Sequence, residues 1–466
     1  MAQLEDPAAR NRMPADPLED FFRTHVTRRD ALRAAGGAGV ALMLGGLLAA
    51  CGDSSTSAPS TVDLGKLKVE PGTDIPKATV RYGLLPYGDN SMPVIGMRNG
   101  WFEEVGITVQ PQPLGSKVQD AQVVPKLVND EIDMINWDGT VIIQTMTKAP
   151  DLKMVGFTDT YLGIYILAAP DSGAQTVKEL VDGGTEFSEA MQTVMQQLVG
   201  KRVTLDNTGY HKTFFNTIFK LGEVDPSEFE LTTIDDAKMV QLAKAGDTDF
   251  CSPAGAAQNV ELLKIGWFPI VGVEDLLNGL PPADPQAVAT MDHIGPALNQ
   301  KFYEENRETV LRAMSVNFRI VDAIVNDPDN TLPVQLPYLE SVTGGSYTLD
   351  DIKLIYEKID PPTVFEDQGK FWTDTDSPQY YANVYDPQIE SLQEGGVLPK
   401  EADLDASQVF LGTEVYQDML DLKAQYEDLA SDAEDQDADL AAQAKTQAEN
   451  RNYLDAVRFA LAATNQ

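Results

Sequence analysis

The sequence predicts an α/β protein that is built of two lobes and ends in a helical extension. The chain has 466 residues, which is too many for one ordinary hydrophobic core. Runs typical of strands alternate with runs typical of helices in two successive blocks, at 77–170 and 171–272. Residues 273–419 are expected to return to the first lobe, and residues 420–466 to form an acidic, solvated helical extension.

The first block predicts a parallel βαβαβ unit. A β-rich run stops at Pro86, and Gly100 closes the apolar helix that follows it. The predicted elements are strand 79–85, helix 92–99, strand 107–110, a helix near 117–130 and strand 132–137. Since ligands of open parallel sheets bind at the carboxyl ends of strands, the loops after these strands are candidate site positions.

The second block repeats the alternation of strand and helix. Its predicted elements are strand 201–205, helix 211–221, strand 229–233, helix 235–245 and strand 248–251. Two such blocks bring two sheet edges to face each other, so we expect a ligand cleft between the lobes.

The strongest bias in the composition is acidity. Asp and Glu number 72 against 35 Lys and Arg, a net charge of -37. The first 50 residues carry six basic and six acidic residues, so the acidity belongs to the rest of the chain. An acidic surface repels nucleic acid and anionic lipid headgroups, which argues against both as direct partners. It is typical of a soluble surface and says little about the charge of one cleft.

Cysteine and histidine are scarce. Cys51 and Cys251 are the two cysteines of the chain, and no disulfide framework is expected from them. No spacing of Cys and His resembles a metal site, so we expect neither a metal nor a cofactor.

The N-terminal segment predicts export and lipid attachment. Arg28-Arg29 precedes the weakly apolar run 34–50, a pattern that resembles a twin-arginine signal. Leu48-Ala49-Ala50-Cys51 resembles a bacterial lipobox, which implies lipidation of Cys51 and a body held at the outer face of the membrane. An uncleaved N-terminal anchor is the alternative. Residues 51–76 are expected to form a flexible tether.

Several motifs resemble those of a known family. The segments at 83–86 and 99–109, with Asn99-Gly100-Trp101-Phe102, resemble the opening of bacterial solute-binding proteins of the sulfonate, taurine, nitrate and pyrimidine-precursor group. Residues 131–135, 246–250, 304–310 and 394–399 are similar to later motifs of that family. The resemblance implies a type II periplasmic-binding-protein fold, in which two hinge crossovers join lobes that close on a ligand. It also implies a monomer without enzymatic activity that delivers solute to ABC permease subunits.

Candidate ligand-binding residues of the first lobe follow its predicted strands. Trp137 offers a flat apolar wall and Asp138 a carboxylate, although a core Trp and a helix cap explain them equally well. Five further candidates lie at loops or strand ends of this lobe: Tyr87, Asp89, Asn90, Ser91 and Asp159. Tyr161 is a further candidate, whose aromatic ring could line the site.

The second lobe offers a helix start and a strand end. Thr208, Gly209, Tyr210 and His211 open helix 211–221, where free N–H groups suit an anion, although an ordinary N-cap turn explains them too. Cys251 and Ser252 end a strand at the expected cleft edge, where a lone Cys is more often a packed small hydrophobe. The aromatic and acidic candidates favour a planar, partly polar solute, whereas the helix start at Thr208 favours an anion. The ligand class therefore stays open.

Two other functions compete with solute binding. An enzyme on the same fold, similar to thiaminase, would use Cys251 as nucleophile and needs a base beside it. His211 is the candidate base, and nothing in the sequence brings it to Cys251. A lipoprotein that acts as an envelope sensor or scaffold would use the acidic C-terminal extension for interaction.

Overall fold

Two separate β-sheets form the framework of the protein. The computed structural model describes residues 64–206, 211–281 and 283–464. The predicted export segment, Cys51 and the first part of the tether lie outside these residues. Within the described ranges no helix has both the length and the hydropathy needed to cross a bilayer.

The strands of the described residues lie between Ala78 and Asn299. In chain order they are β1 (Ala78–Leu84), β2 (Ile107–Gln110), β3 (Ser116–Lys117), β4 (Met134–Asp138), β5 (Leu152–Met154), β6 (Asp159–Tyr161), β7 (Tyr165–Ala168), β8 (Arg202–Asp206), β9 (Glu230–Ile234), β10 (Phe250–Ser252), β11 (Phe268–Gly272) and β12 (Asp292–Asn299).

Helices connect these strands and make up the chain after β12. The α-helices span Pro93–Arg98, Trp101–Glu104, Asp120–Val128, Gly139–Thr145, Val177–Asp182, Phe187–Met195, Lys212–Leu221, Asp236–Ala245, Ala256–Lys264, Val273–Gly279, Pro285–Val288, Gln300–Glu305, Arg307–Asn326, Pro328–Thr331, Leu336–Thr343, Leu349–Leu354, Gly369–Trp372, Tyr381–Glu394, Gly412–Gln436, Ala438–Glu449 and Tyr453–Thr464.

The first sheet contains the predicted parallel unit. Its order is β2-β1-β4-β12-β5, with β3 on β1 and β6 on β12. β1 pairs in parallel with β2 and β4, which confirms the predicted βαβαβ connection. β12 runs antiparallel to β4 and places Ile294 opposite Asp138 on one side and Asp159 on the other. The register therefore aligns two acidic side chains across three neighbouring strands.

The second sheet has the order β11-β7-β10-β8-β9. β8 lies between β9 and β10 in parallel, while β7 runs antiparallel to β10 and β11. The chain passes to this sheet between β6 and β7 and returns between β11 and β12. The first passage therefore lies before residue 165, earlier than the lobe boundary at 171 that the sequence suggested. The return before β12 agrees with the two-lobed fold with two crossovers.

Local sequence explains the elements that border the cleft. Asp235 accepts a hydrogen bond from the backbone N–H of Lys238 and so caps the helix Asp236–Ala245. That helix ends at Gly246, whose φ of 74° favours glycine. The residue after β4 is Gly139, and the hydroxyl of Tyr385 packs directly against it. A side chain at this position would clash with that hydroxyl, so glycine is required here. The close approach brings this tyrosine to the end of β4.

The last three helices form a C-terminal bundle, defined by Gly412–Gln436, Ala438–Glu449 and Tyr453–Thr464. The prediction that this region is solvated was wrong for the last helix, where Tyr453, Leu454, Ala456 and Val457 are buried. This helix packs on the long helix Arg307–Asn326, and Arg312 forms a buried two-point ion pair with Asp455. The sequence of this helix is rich in alanine, and small side chains produce a weak apolar pattern. The burial of the helix could therefore not be predicted from periodicity.

Candidate functional site

A narrow cleft with an enclosed volume of about 30 Å³ lies between the carboxyl ends of strands from both sheets. The first sheet contributes the loop after β1 and the ends of β4, β6 and β12, while the second contributes the loop after β10 and the start of helix Lys212–Leu221. The lining residues are Tyr87, Asp89, Asn90, Asp138, Tyr161, His211, Ala254, Gly255, Ala256 and Asp292. This is the sheet edge at which the strand order predicted a ligand.

Six residues singled out from the sequence meet at this cleft: Tyr87, Asp89, Asn90, Asp138, Tyr161 and His211. Their convergence follows from one rule, since each lies at a strand end or at the start of a helix that follows a strand. Thr208, Gly209 and Tyr210 lie outside the described residues, so their part in the site stays a prediction.

Five other candidates do not line the cleft and are buried around it: Ser91, Trp137, Asp159, Cys251 and Ser252. Ser91 donates to the carbonyl oxygen of Gly88 and accepts from Gln335 Nε2 at 2.9 Å, so its hydroxyl serves the loop. Trp137 alternates with the cleft-facing Asp138, and its side chain therefore points into the core.

Sequence reasoning missed Asp292, Asp360 and the segment Ala254–Ala256. Ala254 directly follows the strand end at Cys251-Ser252-Pro253, so the rule of carboxyl ends covers it. Asp292 begins the return strand β12, and Asp360 follows a π-helical turn at Ile355–Ile359. Neither acidic residue has a local pattern that marks it, because both come to the site from distant parts of the chain.

Four buried carboxylates and one half-buried carboxylate converge at the first-lobe side of the cleft: Asp89, Asp159, Asp292 and Asp360 are buried, and Asp138 is half-buried. Oxygens of Asp89, Asp159 and Asp360 all lie within 4.8 Å of one another. Asp360 is 0% exposed, and neither of its carboxylate oxygens has a hydrogen-bond partner in the described structure. Among the described residues that line the cleft there is no Lys or Arg.

Burial dominates the electrostatics of these groups. It raises the pKa of Asp89 to about 7 and that of Asp292 to about 6, with neighbouring carboxylates contributing at Asp89. Burial and the surrounding negative charges hold the pKa values of Asp138, Asp159 and Asp360 well above their usual range. The cluster therefore favours either protons or a positive charge placed among its members.

Carboxylates of the protein accept hydrogen bonds from backbone N–H groups next to the cleft. Asp292 Oδ1 accepts a hydrogen bond from the Thr140 N–H at 2.9 Å, at the start of the helix after β4. Asp236 accepts from the N–H groups of Ala254 and Gly255 at 3.1 and 2.8 Å. These donors are the kind that bind anionic ligands at helix starts, and here they are already satisfied.

Aromatic side chains form part of the wall. The rings of Tyr161 and His211 lie nearly parallel, with centroids 5.8 Å apart and an interplanar angle of 16°. His211 Nδ1 lies 3.4 Å from Asp206 Oδ2, so a protonated imidazole would be paired with this carboxylate. Tyr87 donates to Asp120 Oδ2 at 2.7 Å, so its ring is held at the cleft with its hydroxyl turned away to a partner.

Cys251 lies in an apolar cluster with Leu167, Met239, Leu262 and other hydrophobic residues. It is 0% exposed, and burial raises the pKa of its thiol far above the usual value. The imidazole of His211 contacts Asp206 and the rings of Tyr161 and Phe215. A nucleophilic cysteine needs the opposite environment, with a nearby base or positive charge.

The two sheets, the paired crossovers and the cleft between them define a two-lobed periplasmic-binding-protein fold. Comparison with solved structures agrees with this class. The periplasmic aliphatic sulphonate binding protein SsuA from Escherichia coli is similar with a TM-score of 0.52 at 14% identity, over 73% of this chain and 99% of that one. A periplasmic sulfonate-binding protein SsuA from Methylobacillus flagellatus KT gives 0.50 at 14% identity, over 74% and 95%.

The desulfurization enzyme DSZB is also similar, with a TM-score of 0.45 at 12% identity over 74% of this chain and 99% of that one. No protein-family model and no curated protein matches the sequence. At these identities the structural neighbours define the fold of the chain, and the cleft itself has to indicate the function.

Proposed function

We propose that the protein is the extracytoplasmic substrate-binding component of an ABC-type importer, and that it captures a small solute in the cleft between its lobes. One observation carries the proposal, namely that a single cleft is lined by residues of both sheets. Solute that contacts both lobes stabilises the closed arrangement, and closure signals loading to a permease.

The wall of the cleft supports binding of a small polar molecule. Asp89, Asn90 and Asp138 supply polar groups from the first lobe, and His211 faces them from the second. Tyr87 and Tyr161 add aromatic surface, the mixture that small-molecule sites use. Solute-binding proteins among the structural neighbours agree with this role.

The proposal includes an anchor and a tether. A lipid on Cys51 would hold the body at the outer face of the membrane, within reach of ABC permease subunits, and the tether at 51–76 would leave the cleft free to sample the medium. We propose the export signal at 1–50 and a monomeric body as parts of the same arrangement.

A thermal-shift screen tests the proposal. The purified full chain is melted alone and with pyrimidines, sulfonates, nitrate, amino acids and amines, each at several concentrations. A solute that binds only the folded protein raises the melting temperature as its concentration rises. A screen in which no small molecule changes the melting temperature would contradict solute capture and favour the sensor or scaffold.

Catalysis is the second candidate function, and the fold of DSZB is the reason to test it. The apolar surroundings of Cys251 speak against a thiol nucleophile. Turnover of a bound solute, followed by mass spectrometry of the released ligand, would overturn the non-enzymatic role.

A further inference from the structure

The cleft is built for positive charge. Resting on the proposed function, we propose that the solute is a small organic cation, whose charge is carried on nitrogen and is bound by the carboxylates of Asp89 and Asp138. The proposal narrows the ligand class that the sequence left open between a planar polar solute and an anion.

The first observation that supports a cationic solute is the presence of acidic groups without hydrogen-bond partners. Asp138 lines the cleft, and its Oδ2 is buried without a hydrogen-bond partner in the described structure. Asp360 has both oxygens unpartnered, and one of them lies within 4.8 Å of an oxygen of the cleft-lining Asp89. Buried carboxylates without donors are costly, which a cationic ligand in the cleft would relieve.

The basic residues of the protein are the second support. Lys153, Arg312 and the two histidines are the buried basic side chains of the described residues. Lys153 donates to the carbonyl oxygens of Pro150 and Gln408, and Arg312 pairs with Asp455. Neither contributes to the cleft, so nothing but His211 is available inside it to offset the acidic cluster.

The occupied backbone donors are the third support. An anion needs free N–H groups or a cationic side chain, and in this cleft Asp292 holds the Thr140 N–H while Asp236 holds those of Ala254 and Gly255. At these described donors an anion would have to displace the carboxylates, and it would approach Asp89 and Asp138 as well. Like charges at such distances repel strongly in a buried site.

An organic cation fits the walls better than a bare metal ion. Oxygens of Asp89, Asp159 and Asp360 could surround a metal, but the cleft also presents the rings of Tyr87, Tyr161 and His211. Aromatic faces attract alkylated or protonated nitrogen. A metal ion would leave those rings without a function.

Calorimetry with charge-matched probes tests the inference on the purified full chain. The cations are 1,4-diaminobutane and choline, the neutral counterparts are 1,4-butanediol and 3,3-dimethylbutan-1-ol, and the anion is succinate. At least one cation is expected to bind, with its neutral counterpart binding at least about 100-fold more weakly, since the neutral form lacks the charge that the cluster attracts.

Variants place the cation in the cleft. Asp138→Asn should weaken cation binding at least about tenfold, because an amide lacks the charge of the carboxylate. The amide has nearly the shape of the carboxyl group and carries no charge to bury, so the variant should melt no lower than the parent protein. Asp432→Asn, on the exposed side of the C-terminal bundle, is the matched control and should leave binding unchanged.

Three outcomes overturn the inference. Binding of succinate or a sulfonate without binding of any cation would reject a cationic ligand while leaving solute capture intact. Melting shifts with calcium, magnesium or zinc chloride alone would assign the carboxylates to a metal. Absence of binding by every class of solute would reject the proposed function together with its ligand.

Discussion

At the scale of single residues, the cleft depends on which carboxylates carry charge. Of the five carboxyl groups at the cleft, Asp89 and Asp292 have pKa values of about 7 and about 6, which are close to physiological pH. The titratable groups that face them are Asp120, Asp138, Asp159, Asp360, Tyr161, Tyr356, Tyr385 and His211. The Tyr385 hydroxyl, which donates to Asp292 Oδ1 at 3.0 Å, and His211 favour ionisation of Asp292, whereas Asp292 and Asp120 disfavour ionisation of Asp89.

The ligand-free protein should lose stability as the pH rises. An unfolded Asp releases its proton near its ordinary pKa of 3.8, whereas folded Asp89 holds it to about 7. The folded chain thus binds more protons between about pH 4 and 7, so the free energy of unfolding falls across that window. Melting temperatures in buffers of constant ionic strength should drop by several degrees.

Asp89→Asn is the matched control for that titration. It should flatten the slope between pH 4 and 7, because an amide cannot ionise. A parent protein whose stability increases steadily through this window would contradict the raised pKa of the buried cluster. Binding of a cation should show the opposite trend and strengthen with pH, as the ligand favours the ionised carboxylates.

Cys251→Ala separates a packing role from a chemical one. The thiol lies among apolar side chains behind the cleft, so its removal should lower the free energy of unfolding by about 1 to 2 kcal/mol. Affinity for the bound solute should stay within about twofold, since packing alone changes little at the wall. Loss of binding by more than about tenfold, measured by calorimetry at 25 °C, would return Cys251 to the site.

Residues of the cleft could be predicted where their position follows from topology. Asp89, Asp138 and His211 stand next to strand ends or helix starts, which periodicity and capping patterns reveal. Asp360 could not be found this way, since a lone Asp before two prolines has many ordinary explanations. Its burial is decided by tertiary packing that one sequence does not display.

At the scale of elements, the helices of the C-terminal bundle are fastened to the first lobe by ion pairs. Arg312 donates to both oxygens of Asp455, with both side chains almost fully buried. Arg307 pairs with Asp418 at 2.6 Å, and Arg451 with Asp322 at 2.8 Å. The parallel unit was predictable from strong alternation, whereas this docking depends on pairs more than 100 residues apart.

Asp455→Ala should destabilise the protein strongly. It leaves Arg312 buried without its partner, and breaking a buried pair costs about 3 to 5 kcal/mol. Urea unfolding should show the loss as a lower midpoint. Asp182→Ala, which breaks the exposed Lys178 pair, is the control and should leave the midpoint unchanged. Equal behaviour of the two variants would show that the bundle does not depend on this pair.

At the scale of the whole molecule, attachment and binding should be separable. The predicted lipid site at Cys51 lies before the described body, and the cleft is built from residues after 86. Cys51→Ala should therefore release the protein from membranes in soluble form, which fractionation of cells and immunoblotting would measure. Affinity of the released protein for its solute should equal that of the parent.

A released protein with altered affinity would show that the membrane takes part in binding. A variant that stays in the membrane fraction would instead support the uncleaved N-terminal anchor. Glu427→Ala, an exposed change in the C-terminal bundle, is a suitable control because it touches neither the signal nor the cleft.

Both ends of the described body are fixed to one lobe. Arg307 Nη1 donates to the carbonyl oxygen of Gly65 at 2.8 Å, and the Gly72 N–H donates to Arg458 O at 3.2 Å. The incoming chain thus meets the C-terminal bundle on the face formed by helix Arg307–Asn326. A force on the tether would therefore act on the first lobe. Closure of the cleft would then move the second lobe relative to the membrane, while the first lobe stays in place.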